Sequence, residues 1–352
     1  MKYSAFLFAV FLFPSAFCLF PSAFCLLPFA FQTPSPSPGR VEVLKSTDAL
    51  PPHVVGLFRE PLACKQTANG DYYVFDRRGH TVYAVDPTGA SARKLVQIGA
   101  EEGRLIEPSA FDVAANGTFA VADGPNGRER ISIFDAAGVW TGGFFLPGRG
   151  VSRVVLGSLT LSGVGTLSFN GKTLLMSHPE TGWLMTEYSI KGIAIRSIGR
   201  LRKTGHEDDR DLHLALNSGI PIAAPDGGFY FVFMAGAPAL RKYDDKGELV
   251  YERVIQGREI DPLIAAIPDR WPRRSGGELP LVSPTVRTAA VDRSGNLWVS
   301  FIVPFSYVYD EDGEKIRTVQ FRAGGVISPS SLWFNTNGRV LVTPGCYEFA
   351  AR

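Results

Sequence analysis

The sequence predicts an all-β fold, a six-bladed β-propeller built from four-stranded antiparallel sheets. Short apolar runs recur along the chain and are broken by Asn-Gly, Asp-Gly and proline signals, a pattern typical of strands joined by tight turns. Long helical periodicity is nearly absent. A turn glycine that precedes a β-rich run returns six times, and such a period indicates a repeat architecture. These glycines are Gly70, Gly117, Gly171, Gly227, Gly295 and Gly338.

The repeated unit has room for four strands. Successive glycines are 47, 54, 56, 68 and 43 residues apart. In the second unit the apolar run FDVAA precedes the Asn-Gly turn, and NGTFAVAD follows it. A third run, ISIFDAAG, ends in another turn, and GGFFLP supplies a fourth. Asn-Gly suits the positive φ of a tight hairpin turn. Four antiparallel strands at this period are typical of a propeller blade.

The last unit offers only three strands, SLWFN, RVLVTP and CYEFAAR. The candidate for its fourth strand lies near the other end of the chain, at RVEVL, residues 40–44. A strand from the N-terminal side would complete the last blade and pair the edges that otherwise stay open. We therefore expect residues 40–352 to form the propeller, with its last blade closed by an N-terminal strand.

The first two units resemble a known family. The stretches YYVFD, HTVYAVDPTG and FAVADGPNGRERISIFDAAG are similar to NHL-type repeats of six-bladed propellers. In those repeats a strand ending in Asp is followed by a basic or polar loop and by a strand ending in Asp-x-x-Gly. The resemblance extends over roughly residues 41–352 and fades in the later units. It implies the fold alone, because propellers of this kind include binding modules as well as lyases and lactonases.

Residues 1–31 predict a signal peptide or a membrane anchor, and residues 32–39 a Pro/Ser-rich linker. The heptapeptide FPSAFCL occurs twice in tandem, and the proline in each copy excludes a coiled coil. Lys2 precedes the apolar core AFLFAVFLF, which is the layout of a secretory signal. The apolar run also exceeds the roughly 20 residues that span a bilayer. We therefore expect export to the periplasm or the cell exterior, with membrane contact only if the segment stays uncleaved.

Composition narrows the classes of partner. A net charge of +2 is far from the strongly basic balance that nucleic-acid binding requires, so we expect no nucleic-acid partner.

Cys64 and Cys346 are the two cysteines after the leader. In an oxidising compartment they could pair. Two separate buried thiols are the other interpretation.

One face of the predicted disc carries the longer and more varied connections, among them residues 99–108, 201–213 and 260–284. The opposite face carries short, stereotyped turns. Binding residues tend to lie on loops held by a rigid scaffold, so we expect the ligand on this variable-loop face. The candidate ligand-binding residues are Arg77, His80, Asp123, Arg128, His178, Trp271, Arg273 and Arg274.

The predicted function is that of an exported binding module for a protein, a peptide or a glycan. The alternative is a metal-assisted lyase or hydrolase at the mouth of the central channel. In it, His178, His206 and His213 would hold zinc or calcium. The segment HEDDRDLH has two imidazoles and four carboxylates, but its histidines lack the short spacing of helical zinc sites. The sequence therefore requires no cofactor, and a solvated charged loop is the other interpretation of this segment.

Overall fold

The computed structural model describes residues 40–147, 154–156, 159–161, 166–273, 280–335 and 337–351. The predicted leader and linker, residues 1–39, lie outside these ranges. No helix in the described ranges is long and apolar enough to cross a membrane. The helices are short: α1 (Pro52–Val55), α2 (Arg210–Leu216), α3 (Asp261–Ala265), and 3-10 turns at Pro125–Gly127 and Pro179–Thr181.

The described strands are numbered in chain order and form small antiparallel sheets, as the sequence predicts. They begin with β1 (Val41–Asp48). Sheet I has β2 (Pro61–Gln66), β3 (Tyr72–Asp76), β4 (Thr81–Val85) and β5 (Ala92–Lys94). A short parallel pair follows, β6 (Gln97–Ile98) and β7 (Arg104–Leu105). Sheet II has β8 (Ala110–Val113), β9 (Phe119–Asp123), β10 (Arg130–Phe134) and β11 (Trp140–Phe145).

The central part of the chain repeats this arrangement. A hairpin of β12 (Val154–Leu156) and β13 (Leu159–Leu161) comes first. Sheet III has β14 (Leu167–Phe169), β15 (Thr173–Met176), β16 (Trp183–Ser189) and β17 (Ala194–Arg200). Sheet IV has β18 (Gly219–Ala223), β19 (Phe229–Phe233), β20 (Ala239–Tyr243) and β21 (Leu249–Val254).

The remaining strands form one nine-stranded sheet with two groups. Group V has β22 (Val286–Val291), β23 (Leu297–Phe301), β24 (Ser306–Tyr309) and β25 (Lys315–Arg322), with β26 (Val326–Ile327) beside β25. Group VI has β27 (Ser331–Phe334), β28 (Arg339–Thr343) and β29 (Tyr347–Ala350). Strand β1 lies between the groups, parallel to β25 and antiparallel to β29. Among the described residues, four four-stranded sheets are therefore separate units, where the sequence predicts six, because β1 bonds to the last two groups at once.

The turns that anchored the repeat are confirmed. All six predicted glycines lie at positive φ, between 70° and 94°. Each follows the first strand of a sheet or strand group and leads into the second. Strand β1 is longer than the sequence predicts, because it extends to Asp48 rather than ending at residue 44. The local turn signal thus placed the hairpins correctly along the chain.

The core is divided into apolar layers between consecutive sheets. Because side chains alternate across a strand, each sheet buries residues on both faces. Phe75 of sheet I stacks on Phe111 of sheet II, with ring centroids 5.6 Å apart. Similar layers join sheets II and III, III and IV, IV and group V, and groups V and VI. A further layer holds Val74 and Val85 of sheet I with Leu341 of group VI.

A disulfide joins the beginning and the end of the described chain. Cys64 on β2 bonds to Cys346, which lies between β28 and β29. Their Cα atoms are 5.7 Å apart, within the usual range for a disulfide. The Cys64 amide also donates to Ser331 Oγ on β27, at 3.4 Å. Of the two interpretations of these cysteines, pairing is the one that the structure has.

Candidate functional site

Three predicted ligand-binding residues lie on loops of sheets I and II, each with a partner of its own. Arg77 donates to Glu60 Oε2 at 2.8 Å. His80 Nδ1 accepts the Glu107 amide at 3.2 Å. The Arg128 guanidinium lies 4.5 Å from the centre of the Phe145 ring. Each contact joins its side chain to a neighbouring loop or strand.

Asp123, at the end of β9, is fully buried in a structural ion pair. Arg130 donates to both carboxylate oxygens, at 2.9 and 2.6 Å, and also to the carbonyls of residues 100, 101 and 104. The Ile106 amide donates to the same carboxylate at 3.1 Å. Burial raises the pKa of the Asp123 carboxyl, and Arg130 opposes that shift. The pair fastens the connection between sheets I and II to the end of its strand.

His178 follows β15 and is 1% exposed. Its Nδ1 lies 3.3 Å from the Tyr188 hydroxyl. Burial lowers the pKa of the imidazole below its ordinary value, because the charged form loses its hydration. A neutral, buried imidazole bonded to a tyrosine belongs to the core between sheets II and III, where Tyr188 also packs.

The other two predicted metal ligands lie on the connection between sheets III and IV. His213 Nδ1 lies 2.8 Å from Thr204 Oγ1, and the His206 amide donates to the same hydroxyl at 3.2 Å. Asp209 caps α2 by accepting the Leu212 amide. Over the described ranges, no three His, Cys, Asp or Glu side chains converge closely enough to hold a metal ion. Within those ranges the three predicted histidines therefore do not converge as a metal-binding group.

Two charged connections meet on the variable-loop face. Arg273, from the long connection before group V, forms an ion pair with Asp209, from the connection before sheet IV. The hydrogen bond from Arg273 lowers the pKa of the Asp209 carboxyl. Trp271 packs beside Leu212 and Leu216 of α2. The predicted Arg274 lies outside the described residues.

These connections border a recess of about 730 Å³, which we call the groove. Its walls come from residues 201–206, 236–241 and 267–271, with Leu216 and Glu252. Three of its side chains are cationic, Arg202, Lys203 and Arg241, and two are carboxylates, Glu252 and Asp269. His206 and Trp271, both predicted from the sequence, also line it. Counting Arg and Lys against Asp and Glu, the groove thus has an excess of one cation.

Two of the three cations in the groove are held by the chain itself. Arg202 donates to the carbonyls of residues 216, 235 and 237 and stacks 3.9 Å from the centre of the Phe233 ring. Burial lowers the pKa of Arg202 to about 10, so it remains charged at neutral pH. Arg241 donates to Glu252 at 2.8 Å. Lys203 is exposed and has no ion pair among the described residues.

A second recess, the central cavity, lies where the first strands meet and has a volume of about 330 Å³. Residues of β2, β8, β14, β18, β22 and β27 line it, one first strand from every sheet or strand group. Adjacent first strands pack together in the order β2, β27, β22, β18, β14, β8. The sequence predicted a central channel but named no residue of these strands as a site residue, because it assigned binding to loops. The available signal was a charged residue inside each of three otherwise mostly apolar strands, PLACKQ, AFDV and VRTAAV.

Two of those three charges neutralise each other. Lys65 Nζ on β2 lies 2.5 Å from Asp112 Oδ1 on β8. Asp112 also accepts the amides of Val113 and Phe169, each at 2.7 Å, so it joins sheets I, II and III at the cavity wall. This carboxylate is fully used by the chain. The third charged residue of these strands is Arg287 on β22.

Comparisons with known proteins give likenesses of fold at low identity. No family model matches the sequence, and no curated protein matches it. Virginiamycin B lyase from Staphylococcus aureus is 9% identical, with a TM-score of 0.47 over 82% of this chain and 83% of that one. A protein of unknown function from Bacteroides caccae is 12% identical, at 0.44 over 74% and 81%. Hydrazine synthase from Kuenenia stuttgartiensis is 11% identical, at 0.46 over 85% and 94%. The evidence for a propeller arrangement is therefore the set of small sheets in this chain itself. The resemblance to NHL repeats stays a prediction.

Proposed function

We propose that the chain is an exported six-bladed propeller that binds a partner through the groove on its variable-loop face. Groups V and VI count as separate blades, with β1 as the outermost strand of the sixth. Six first strands around one cavity and an apolar layer between sheet I and group VI support that count. The Asp-ending strands β3 and β9 support an NHL-like repeat.

Export is supported by the disulfide. A bond between Cys64 and Cys346 persists in the oxidising compartments outside the cytosol and is rare within it. This agrees with the apolar leader of residues 1–31. Determination of the mature N-terminus by mass spectrometry would distinguish a cleaved signal peptide from an anchor.

The groove carries the functional proposal. It is about 730 Å³ in volume, is bordered by three varied connections, and combines an indole with an excess of positive charge. Lys203 is its one exposed lysine, and Trp271 is half-buried against α2. An indole face and a cation together suit a peptide segment that carries carboxylates and apolar side chains. We therefore assign the groove to an acidic segment of a protein partner.

The test is fluorescence anisotropy with labelled peptides of equal length that are rich in Glu, in Lys or in uncharged Ser. We expect the Glu-rich peptides to bind and the Lys-rich peptides not to bind. Lys203→Glu should weaken binding by about tenfold, which corresponds to about 1.4 kcal/mol. Added salt should also weaken binding, because the lysine is exposed and its charge is screened.

The matched control is Lys191→Glu. Lys191 is exposed in the turn between β16 and β17, on the face with the short turns. This variant has the same change in net charge but leaves the groove intact, so it should bind as the unchanged protein does. Equal losses in the two variants would show that binding follows net charge rather than the groove and would refute the proposal.

A further inference from the structure

Arg287 lies at an irregularity in the first strand of group V. Along β22, Val286 is opposite Phe301 while Thr288 is opposite Ser300, so Arg287 is an extra residue with no counterpart on β23. Such β-bulges redirect a side chain and are common beside functional sites. Here the bulge lies at the cavity wall, and Arg287 and Thr288 both line the cavity.

Among the described residues, the Arg287 guanidinium forms no ion pair. In the ranges that the structure describes, no carboxylate or carbonyl accepts a hydrogen bond from it, in contrast to Arg130, Arg202 and Arg241. The cavity contains two other charges, Lys65 and Asp112, and they pair with each other. The described lining residues of the cavity therefore sum to a net charge of +1, and that charge is on Arg287.

The partial burial of the Arg287 guanidinium favours binding of an anion beside it. Burial lowers the pKa of Arg287 because the guanidinium loses part of its hydration. An arginine nevertheless stays protonated at neutral pH. A partly desolvated cation without a partner gains more from an anion than a hydrated one does. The planar guanidinium also matches a carboxylate through two parallel hydrogen bonds.

The rest of the wall suits the body of a small organic molecule. Leu62, Ile222 and Phe334 line the cavity from three different strands. Ser168 and Thr288 line it too, and neither hydroxyl has a hydrogen-bond partner within the described ranges. A volume of about 330 Å³ lies at the low end of small-molecule sites.

We propose that the central cavity binds a small organic carboxylate, with Arg287 pairing with the carboxylate group and the apolar wall enclosing the hydrocarbon body. The hydroxyls of Ser168 and Thr288 provide additional polar contacts. This cavity shares no lining residue with the groove, so the proposal for the cavity does not depend on the partner proposed for the groove.

The experiment is calorimetric titration of the purified chain with straight-chain acids from butanoate to octanoate and with phenylacetate and 3-phenylpropanoate. Each acid is paired with its neutral amide, and inorganic phosphate is a further probe. We expect at least one acid to bind with a Kd below about 1 mM, and its amide to bind at least about tenfold more weakly. Failure of every acid to bind, equal binding of acid and amide, or equally tight binding of phosphate would each overturn the proposal.

Variants assign the effect to the cavity. Arg287→Gln should abolish the preference for acid over amide, and Arg287→Lys should retain part of it because the charge remains but the paired geometry is lost. Arg322→Gln, at an exposed arginine on β25, is the matched control and should bind as the unchanged protein does. Ser168→Phe keeps Arg287 but fills the cavity, so it should block acid and amide alike. Unchanged acid binding in either Arg287→Gln or Ser168→Phe would refute the site.

Discussion

The groove and the central cavity differ in what their positive charges contact. In the groove, Arg202 donates to three backbone carbonyls and Arg241 to Glu252. At its border, Arg273 pairs with Asp209. In the cavity, Arg287 has no such partner within the described ranges, although Lys65 and Asp112 pair nearby. The number of basic residues on a loop thus does not tell how much positive charge a ligand can use. A single arginine in an apolar strand can offer more charge to a ligand than several paired arginines on loops.

The difference has a physical cause. Loops and helix ends have carbonyls that no strand ladder uses, and such carbonyls satisfy nearby cations. Arg202 uses three of these. A cation on a first strand meets mainly the apolar walls of neighbouring first strands. There Lys65 finds a carboxylate, whereas Arg287 meets none in the part of the chain that the structure describes.

The largest effect should come from the disulfide, which supports the cavity but not the groove. Cys64 is on β2, a cavity strand, and the bond closes a segment of 282 residues. Loss of a cross-link of this span raises the entropy of the unfolded chain. The double variant Cys64→Ser, Cys346→Ser should lose about 4 kcal/mol of unfolding free energy, measured by urea denaturation. Peptide binding at the groove should persist in the folded double variant. A loss below about 1 kcal/mol would show that β2 and group VI are held together by packing alone.

A matched pair of arginine variants tests the contrast between satisfied and unsatisfied cations. Arg130→Gln leaves the buried Asp123 carboxylate without its partner and should cost about 3 kcal/mol of unfolding free energy. Arg287→Gln removes a cation that pairs with none of the described residues, so unfolding free energy should change by less than about 1 kcal/mol. Chemical denaturation of both variants provides the measurement. Equal losses in the two would mean that Arg287 is a structural residue.

The smallest effect concerns His178, a predicted site residue that lies in neither recess. Its pKa in the folded chain is below the ordinary 6.5, so the unfolded chain binds a proton first as pH falls. Stability is therefore unaffected by this group above pH 6.5 and falls as pH drops below it, by at most about 1.4 kcal/mol per pH unit. The loss levels off below the folded-state pKa. Unfolding curves at a series of pH values should show a shallower decline in His178→Gln. The same decline in both proteins would exclude His178 as its source.

The sequence predicted the hairpins better than the site. The turn glycines and the apolar runs were located correctly because hairpin formation depends on residues adjacent in the chain. The site candidates were chosen as charged or aromatic residues on varied loops. That rule found Trp271 and His206 in the groove, but it also selected Asp123 and His178, which are buried in structural contacts. The burial of a side chain depends on which distant strand packs over it, and a local loop motif does not predict that packing.

By itself the sequence determined the all-β class, the succession of strands and the positions of the tight turns, because these follow from local pattern and from the φ that glycine allows. The tertiary structure decided that Cys64 reaches Cys346, that Arg273 reaches Asp209 and that Lys65 neutralises Asp112. It also placed Arg287 at the cavity wall with no described carboxylate paired to it. Those outcomes depend on which distant segments meet when the sheets pack, since Coulomb and hydrogen-bond energies depend on distance in space and not on separation along the chain.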